Sequence, residues 1–295
     1  KNLWSQIIIS DWIYLTTKLN ITSSYAYQKE GGKPVLTIFG IGFTSRPGNS
    51  TESLALINYL KQEAYFVGSV PTFWRDGTGD SKSNFSNVYE AMDIISPWLV
   101  GRFSSTAQFD KLFYGVFLKD LALTSSRQQG YAPSVFPGFS WSNLQRNYGK
   151  QSPLNSIPRD GGRFWVHQVD MFMNKLVDKS TGYGAHYIFG AMFDEFDEST
   201  AMIKAASSED NLPVEGTFLH LSIDGEKIPS DYYLSLAGKY SSLYSNLESR
   251  YSIIPLSKTL NNTFMLSEIE LFQYQKRAKV FELSRLHTLL AKGAT

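Results

Sequence analysis

The chain has 295 residues, 42% of them hydrophobic and 19% charged, and its 28 basic against 27 acidic residues leave a net charge of +1. That length suits one large domain or two ordinary ones, and the absence of any basic block argues against a phosphate-tracking nucleic-acid surface. With no cysteine, disulfides, thiolate metal sites and cysteine nucleophiles are excluded, and no apolar run reaches the roughly 18 residues of a membrane span.

The pattern in chain order alternates helices with short apolar strands. A helix over "LWSQIIISDWIYLTTKL" precedes a strand at 34–43, "PVLTIFGIGF". A helix at 52–64 and a strand at 65–70 follow, then a strand at 93–100, a helix at 106–126 and a strand at 131–136. The next pair is a helix at 163–180 and a strand at 185–193. Strands rich in Val and Ile that alternate with helices predict a parallel sheet with right-handed crossovers. Each predicted strand runs into polar or aromatic loop residues, as in a (β/α)8 barrel with its chemistry at the C-terminal ends of the strands. Five strands are visible where a closed barrel needs eight, so the expectation is a TIM-type barrel lacking its first strands rather than an open sheet. Beyond residue 205 the pattern gives one more strand and turn at 216–225, a helix at 230–250 and a long helix at 267–293. The predicted organisation is a barrel domain over 1–250 and a helical extension over 251–295.

The densest chemical signal is "FDEFDEST", which places Asp194, Glu195, Asp197 and Glu198 directly after an apolar strand. A calcium loop needs alternating Asx ligands and a turn glycine, which this stretch lacks. A solvated turn is the plain alternative, but Phe193 and Phe196 interleave with the acids and suggest that the loop packs inward. Glycoside hydrolysis uses two carboxyl groups, about 5–5.5 Å apart for retention and about 6.5–9.5 Å for inversion. Residues i and i+3 on a turn are neighbours, with Cβ atoms about 5–6 Å apart, so Glu195 and Glu198 can form such a pair. The 15% aromatic content is compatible with stacking on sugars and equally with a large aromatic core.

Other residues fall on loops at the same predicted face. Trp74, Arg75 and Asp80 follow the strand at 65–70, with Trp74 a candidate sugar platform against ordinary loop packing. Trp141 and Asn143 follow the strand at 131–136. Arg159 and Arg163, in "PRDGGRFW", could hold sugar hydroxyls or a catalytic carboxylate by forked hydrogen bonds; the alternative is ion pairing with Asp160 or the Glu195 loop. The histidines His167, His186, His220 and His287 show no metal-ligand spacing, so no metal or cofactor is expected. No serine-hydrolase elbow occurs, and "GIGFTSRPG" lacks the third glycine of a dinucleotide loop. Asn20, Asn49, Asn84 and Asn261 head N-x-[ST] sequons, which are compatible with eukaryotic secretion; a secreted or periplasmic location is the expectation.

"GGKPVLTIFGIGFTSRPG", "VGSVPTFWRDGTGDSK", "ISPWLVGRF", "YAPSVFPGFSWSNL", "NSIPRDGGRFWVHQ", "GAMFDEFDESTAMIKAA" and "PSDYYLSLAG" together resemble a bacterial-type glycoside hydrolase family 71/99-like group, often labelled xylosidase/arabinosidase. More distantly, their order resembles that of family 99 endo-α-mannosidases, whose last motif runs close to Trp-Asn-Glu-Trp-His-Glu-Gly. The resemblance implies a (β/α)8 barrel whose first third precedes "DWIYLTTKL", acting on an oligosaccharide or polysaccharide. It also implies Glu195 as the base toward the sugar 2-hydroxyl or water, and Glu198 as acid/base. Asp194 and Asp197 stand where the mannosidase motif has Asn and His, and "PVLTIFGIGF" ends in glycines and Phe where that strand carries polar residues, so sugar and linkage stay open. A non-catalytic carbohydrate-binding relative and an inverting family 71-like α-1,3-glucanase are the competing readings.

Overall fold

A computed structural model describes residues 3–176 and 187–252. The predicted helix at 267–293, nearly all of the 251–295 extension, Asn261, His186 and His287 lie outside the described residues.

The chain opens with α1 (Trp4–Ile13), continued by a π-helical turn over Tyr14–Lys18, and a short hairpin pairs β1 (Lys29–Glu30) with β2 (Lys33–Phe39). Then follow α2 (Ser50–Leu60), β3 (Tyr65–Val70), α3 (Ser86–Glu90) and β4 (Ile94–Pro97). The predicted helix at 106–126 is α4 (Thr106–Leu112) and α5 (Leu118–Ser126), joined by a π-helical turn. Next come β5 (Gly130–Tyr131), β6 (Ser134–Val135), α6 (Ser142–Asn147), α7 (Arg163–Leu176), β7 (Phe189–Gly190) and α8 (Tyr232–Ser252).

β2, β3, β4 and β5 form one parallel sheet in that order, and β6 pairs in parallel with β7. β5 and β6 are successive parts of one extended path, broken at Pro133, which has no N–H to give a ladder. The path leaves β4, with the Ala132 N–H still bonded to Ile95 O at 2.8 Å, and joins β7 two residues later. The five predicted strands therefore exist, in the order expected of a partial (β/α)8 barrel. The strand predicted at 216–225 does not form. Its alternating apolar residues find no neighbouring strand, and the Thr217 carbonyl instead accepts from Asn143 at 2.7 Å.

Alternation along the strands sorts the side chains to two faces. Val67, Ile94 and Ala132 pack with Val35, Tyr65 and Tyr187 on one face, the barrel's interior. Leu36, Ile38, Phe66, Val70, Ile95 and Val135 point the other way into the layer of helices. That layer is dense in phenylalanine: Phe172 of α7 meets Phe109, Phe113 and Phe117 at centroid distances of 5.6, 5.4 and 5.7 Å. Much of the aromatic content is thus core, not sugar platform.

The loop after β3 is anchored by a buried acid that the sequence did not single out. Asp120 of α5 is fully buried and accepts from the Trp74 indole N–H at 3.1 Å and from Arg75 Nε at 2.9 Å. Burial pushes its carboxyl up to about 7 despite both bonds. Because this value lies above the ordinary one, ionised Asp120 costs stability as pH rises toward 7, and the two donors offset that cost. Asp120→Ala would leave the indole N–H and Arg75 Nε without their acceptor, the rest of the guanidinium keeping Asp76, and open a cavity. We expect a loss of about 3 kcal/mol in urea unfolding at pH 7; a change below about 0.5 kcal/mol would mean the anchor is idle.

Candidate active site

Because the strands of the partial barrel run parallel, their C-terminal ends share one side, and the chain leaves β7 there into the acidic stretch. Backbone pairing fixes the shape of this stretch. The Thr200 N–H bonds to Glu195 O at 3.1 Å and the Ser199 N–H to Phe196 O at 3.1 Å, while Ser199 adopts φ +57°. Nested bonds of this kind around a left-handed residue are a Schellman closure, so residues 195–198 make a single turn that stops at Ser199. Glu195 and Glu198 are the first and fourth residues of that turn. Below it, Met202 N–H bonds to Met192 O at 3.1 Å and Ile203 N–H to Phe193 O at 2.9 Å, closing the loop at its base.

Three neighbours hold the turn. The buried Arg159 guanidinium donates through Nη2 to Ser199 O at 2.9 Å and Ala201 O at 2.8 Å, and its Cζ lies 4.4 Å from the Tyr233 ring centroid. The Ser140 N–H donates to Glu198 O at 2.8 Å, and Asn143 Nδ2 to Asp197 O at 2.8 Å. Arg159 needs Gly138 beside it: a Cβ at that position would sit 2.6 Å from Arg159 Cγ and 2.9 Å from Ile157 O. Segments 138–143 and 159 therefore clamp the acid turn by its backbone, leaving its side chains free.

A cavity of about 560 Å³ opens at the turn, lined by Met192, Asp194, Glu195, Phe196, Asp197 and Phe218. None of the four carboxylates forms an ion pair among the described residues, so their mutual repulsion is not offset. Glu198, outside the cavity lining but half-buried, is pushed up to about 7 by burial first and then by the charges of Glu195 and Asp197. Glu195 is also raised, by burial and then by Asp197 and Asp194. A carboxyl that keeps its proton near neutrality beside one that can accept a proton is the arrangement acid–base catalysis needs. Among the described residues, no three His, Asp or Glu side chains converge at metal-ligand spacing.

Of the other expected site residues, Arg159 and Asn143 hold the turn by its carbonyls, and the rest make contacts of their own. Trp74 is 2% exposed and bonded to Asp120; a stacking platform needs an open ring face, so Trp74 is a core residue. Arg75 pairs with Asp120 and Asp76, and Asp80 with Arg102. Arg163 is exposed and forms ion pairs with Asp160 and Glu226 at 2.5 and 2.6 Å, while Arg159 grips carbonyls rather than a carboxylate. Trp141 is half-buried against Phe139, centroids 4.6 Å apart. Phe196 and Phe218 are cavity residues not included among the sequence candidates. Phe196 was visible in the acidic motif; Phe218 lay hidden in the segment misread as a strand.

Ser199 carries a testable cost, because a left-handed backbone disfavours side chains and β-branched ones most. Ser199→Gly should leave stability unchanged or raise it by up to about 1 kcal/mol, whereas Ser199→Val should cost about 2 kcal/mol. Urea unfolding of the two variants checks this, and equal stabilities would contradict the closure.

No family model matches the sequence, and no curated protein matches it. Among solved structures, two of the GH99 endo-alpha-mannosidase from Bacteroides thetaiotaomicron, one in complex with BIS-TRIS-Propane, align with a TM-score of 0.57 at 16% identity. Each alignment covers 83% of this chain, and 67% and 64% of the respective mannosidase chains. A structure described as a glycoside hydrolase-like protein aligns with a TM-score of 0.50 at 14% identity, covering 79% of this chain and 61% of that one. This chain thus spans about two thirds of the length of the structures it is similar to, and the likeness at this identity is one of fold: a GH99-like α/β architecture.

Proposed function

We propose that the protein is a glycosidase in which Glu198 is the acid/base and Glu195 its partner base. The observation that carries this reading is the Glu198 carboxyl, half-buried beside Glu195 on one clamped turn and raised to about 7. The cavity at the turn is lined by two aromatic residues, Phe196 and Phe218, and by three acids, Asp194, Glu195 and Asp197. Such walls suit the C–H face of a sugar while carboxylates take its hydroxyls. The fold likeness to an endo-alpha-mannosidase makes an internal α-mannosidic bond the first substrate to test.

Glu198 would give its proton to the glycosidic oxygen as the bond to C1 breaks. Glu195 would take the proton of the sugar 2-hydroxyl, whose oxygen then closes on C1. In the second step Glu198 would deprotonate water for addition at C1, while Glu195 returns its proton to O2. Two carboxyls on a single turn suit the shorter spacing of retaining enzymes better than the wider spacing of inverting ones. Asp194 and Asp197 would keep the site anionic and contact hydroxyls. Inversion on an α-1,3-glucan is the competing outcome, distinguished by the anomer first released.

Protonated Glu198 is the working acid, so the rate on α-manno-oligosaccharides should fall as pH rises through about 7. Glu198→Gln should lower kcat by about 100-fold or more. The same variant has a stability signature. The folded-state carboxyl is raised above its ordinary 4.5, so ionisation weakens the native state progressively between about 4.5 and 7. Glu198→Gln removes that weakening, so it should raise the Tm at pH 8 and leave it unchanged at pH 4. Saccharide binding without turnover on α-mannans and α-glucans, with no effect of Glu198→Gln on either measurement, would overturn the reading in favour of a non-catalytic binding protein.

A further inference from the structure

We propose that Asn143 and Arg146 are positioning residues that hold the Phe218 ring as one wall of the cavity at the acid turn, where it stacks on the bound sugar. The proposal rests on the glycosidase reading and adds to it the contacts that govern how tightly the sugar is taken. Phe218 lines the same cavity as Asp194, Glu195 and Asp197. It comes from a separate segment of the chain, so the two sides must be fixed against each other.

The segment that carries Phe218 does not fix itself. It is anchored on one side by the Leu212 N–H, bonded to Glu209 O at 3.0 Å, and on the other by the Leu221 N–H, bonded to Ala206 O at 2.8 Å. The Leu221 side chain is in the core, whereas Phe218 is only half-buried. Between these anchors, residues 213–219 make no backbone–backbone hydrogen bond among the described residues. The ring folds back over Gly216, which adopts φ +92°; a Cβ there would sit 2.6 Å from Phe218 Cε2. That position therefore needs glycine both for its conformation and for its space.

The support comes from α6. Asn143 Nδ2 donates to Asp197 O at 2.8 Å, in the acid turn, and to Thr217 O at 2.7 Å, immediately before Phe218. An amide NH2 has two donors, so this one group bridges the two sides of the cavity with a bond to each. Arg146, three residues on and hence on the same helical face, donates through Nη2 to Asn143 Oδ1 and through Nη1 to Thr217 Oγ1, each at 2.5 Å. A guanidinium only donates, so Arg146 keeps Oδ1 turned toward itself and leaves both amide N–H groups for the carbonyls. Thr217 is thus gripped by its main chain and its side chain at once.

The two sides depend on α6 unequally. The acid turn has further holds, from the Ser140 N–H and from Arg159. Thr217 has only Asn143 and Arg146 as hydrogen-bond partners among the described residues. Arg146 and the Thr217 hydroxyl therefore act on Phe218 and leave Glu195 and Glu198 in place. A wall held before the sugar arrives loses little freedom on binding. Once released, it must be ordered by substrate and transition state alike, which raises KM and spares kcat.

The test is steady-state hydrolysis of α-mannotetraose, with pH profiles, by the unmodified protein and by Arg146→Ala, Thr217→Val, Thr217→Ser and Phe218→Ala. Residues 146, 217 and 218 lie outside the buried core, so these variants leave it in place. The expected result for Arg146→Ala and Thr217→Val is a KM about fivefold higher, with kcat within about twofold and an unmoved pH profile. Thr217→Ser keeps the hydroxyl and should hold KM within about twofold. Phe218→Ala should raise KM at least as far, and Arg146→Ala made in that background should add nothing; a residue that merely stabilised the fold would cost the same with or without Phe218. An unchanged KM for Phe218→Ala or Arg146→Ala, full additivity of the two, or a loss in kcat with a shifted pH profile would overturn the bracket and leave the glycosidase reading intact. Binding without turnover would overturn the glycosidase reading alone, and the same fivefold change would then be read in Kd. Neither binding nor turnover by the unmodified chain would overturn both.

Discussion

Arg159 is the cation on which the geometry of the acid turn depends. Its guanidinium is buried, a position that lowers its own pKa from the ordinary value, and such a charge persists only where good acceptors meet it. Here the acceptors are the carbonyls of Ser199 and Ala201, immediately after the acidic turn, with the face of Tyr233 beside them. The clamp draws the end of the turn inward. Glu198, which immediately precedes the residue that is gripped, is half-buried.

The sheet supplies the rest of the arrangement. Parallel strands bring their C-terminal loops to one side, so residues 140, 159 and 195 meet there despite their separation along the chain. Two of these loops are held alike. After β7 the backbone of the acid turn is held by the Arg159 and Asn143 side chains and by the Ser140 N–H, and its carboxylates form no ion pair among the described residues. After β2 the Lys82 ammonium ties down a loop by the carbonyls of Arg46, Pro47 and Gly48. In both places side-chain donors fix the main chain through its carbonyls.

Much of the fold was legible in the sequence, since runs of Val and Ile between amphipathic helices can hardly be anything but strands of a parallel sheet. The failures have local causes. The path at 131–136 splits because Pro133 breaks the ladder, and 216–225 alternates like a strand but has no neighbour to pair with. That Glu195 and Glu198 share one turn was legible through their spacing, because a single turn makes i and i+3 neighbours. Roles decided by distant partners were not legible: Trp74 reads as a platform until Asp120, 46 residues later, is found to accept its N–H. Arg159 similarly reads as a sugar or carboxylate ligand until the carbonyls 40 residues on are seen in its grip. Burial and long-range hydrogen bonds decide such roles, and neither is written in a local motif.

The central claim is that the clamped turn holds the Glu198 carboxyl protonated near neutrality beside Glu195. The most direct measurement is a pH titration of the glutamate side-chain carboxyl carbons by NMR, with the Glu198 signal assigned through Glu198→Gln. The account predicts that Glu198 titrates near 7, well above ordinary glutamates. Titration of Glu198 in the ordinary glutamate range, near 4.5, would contradict it.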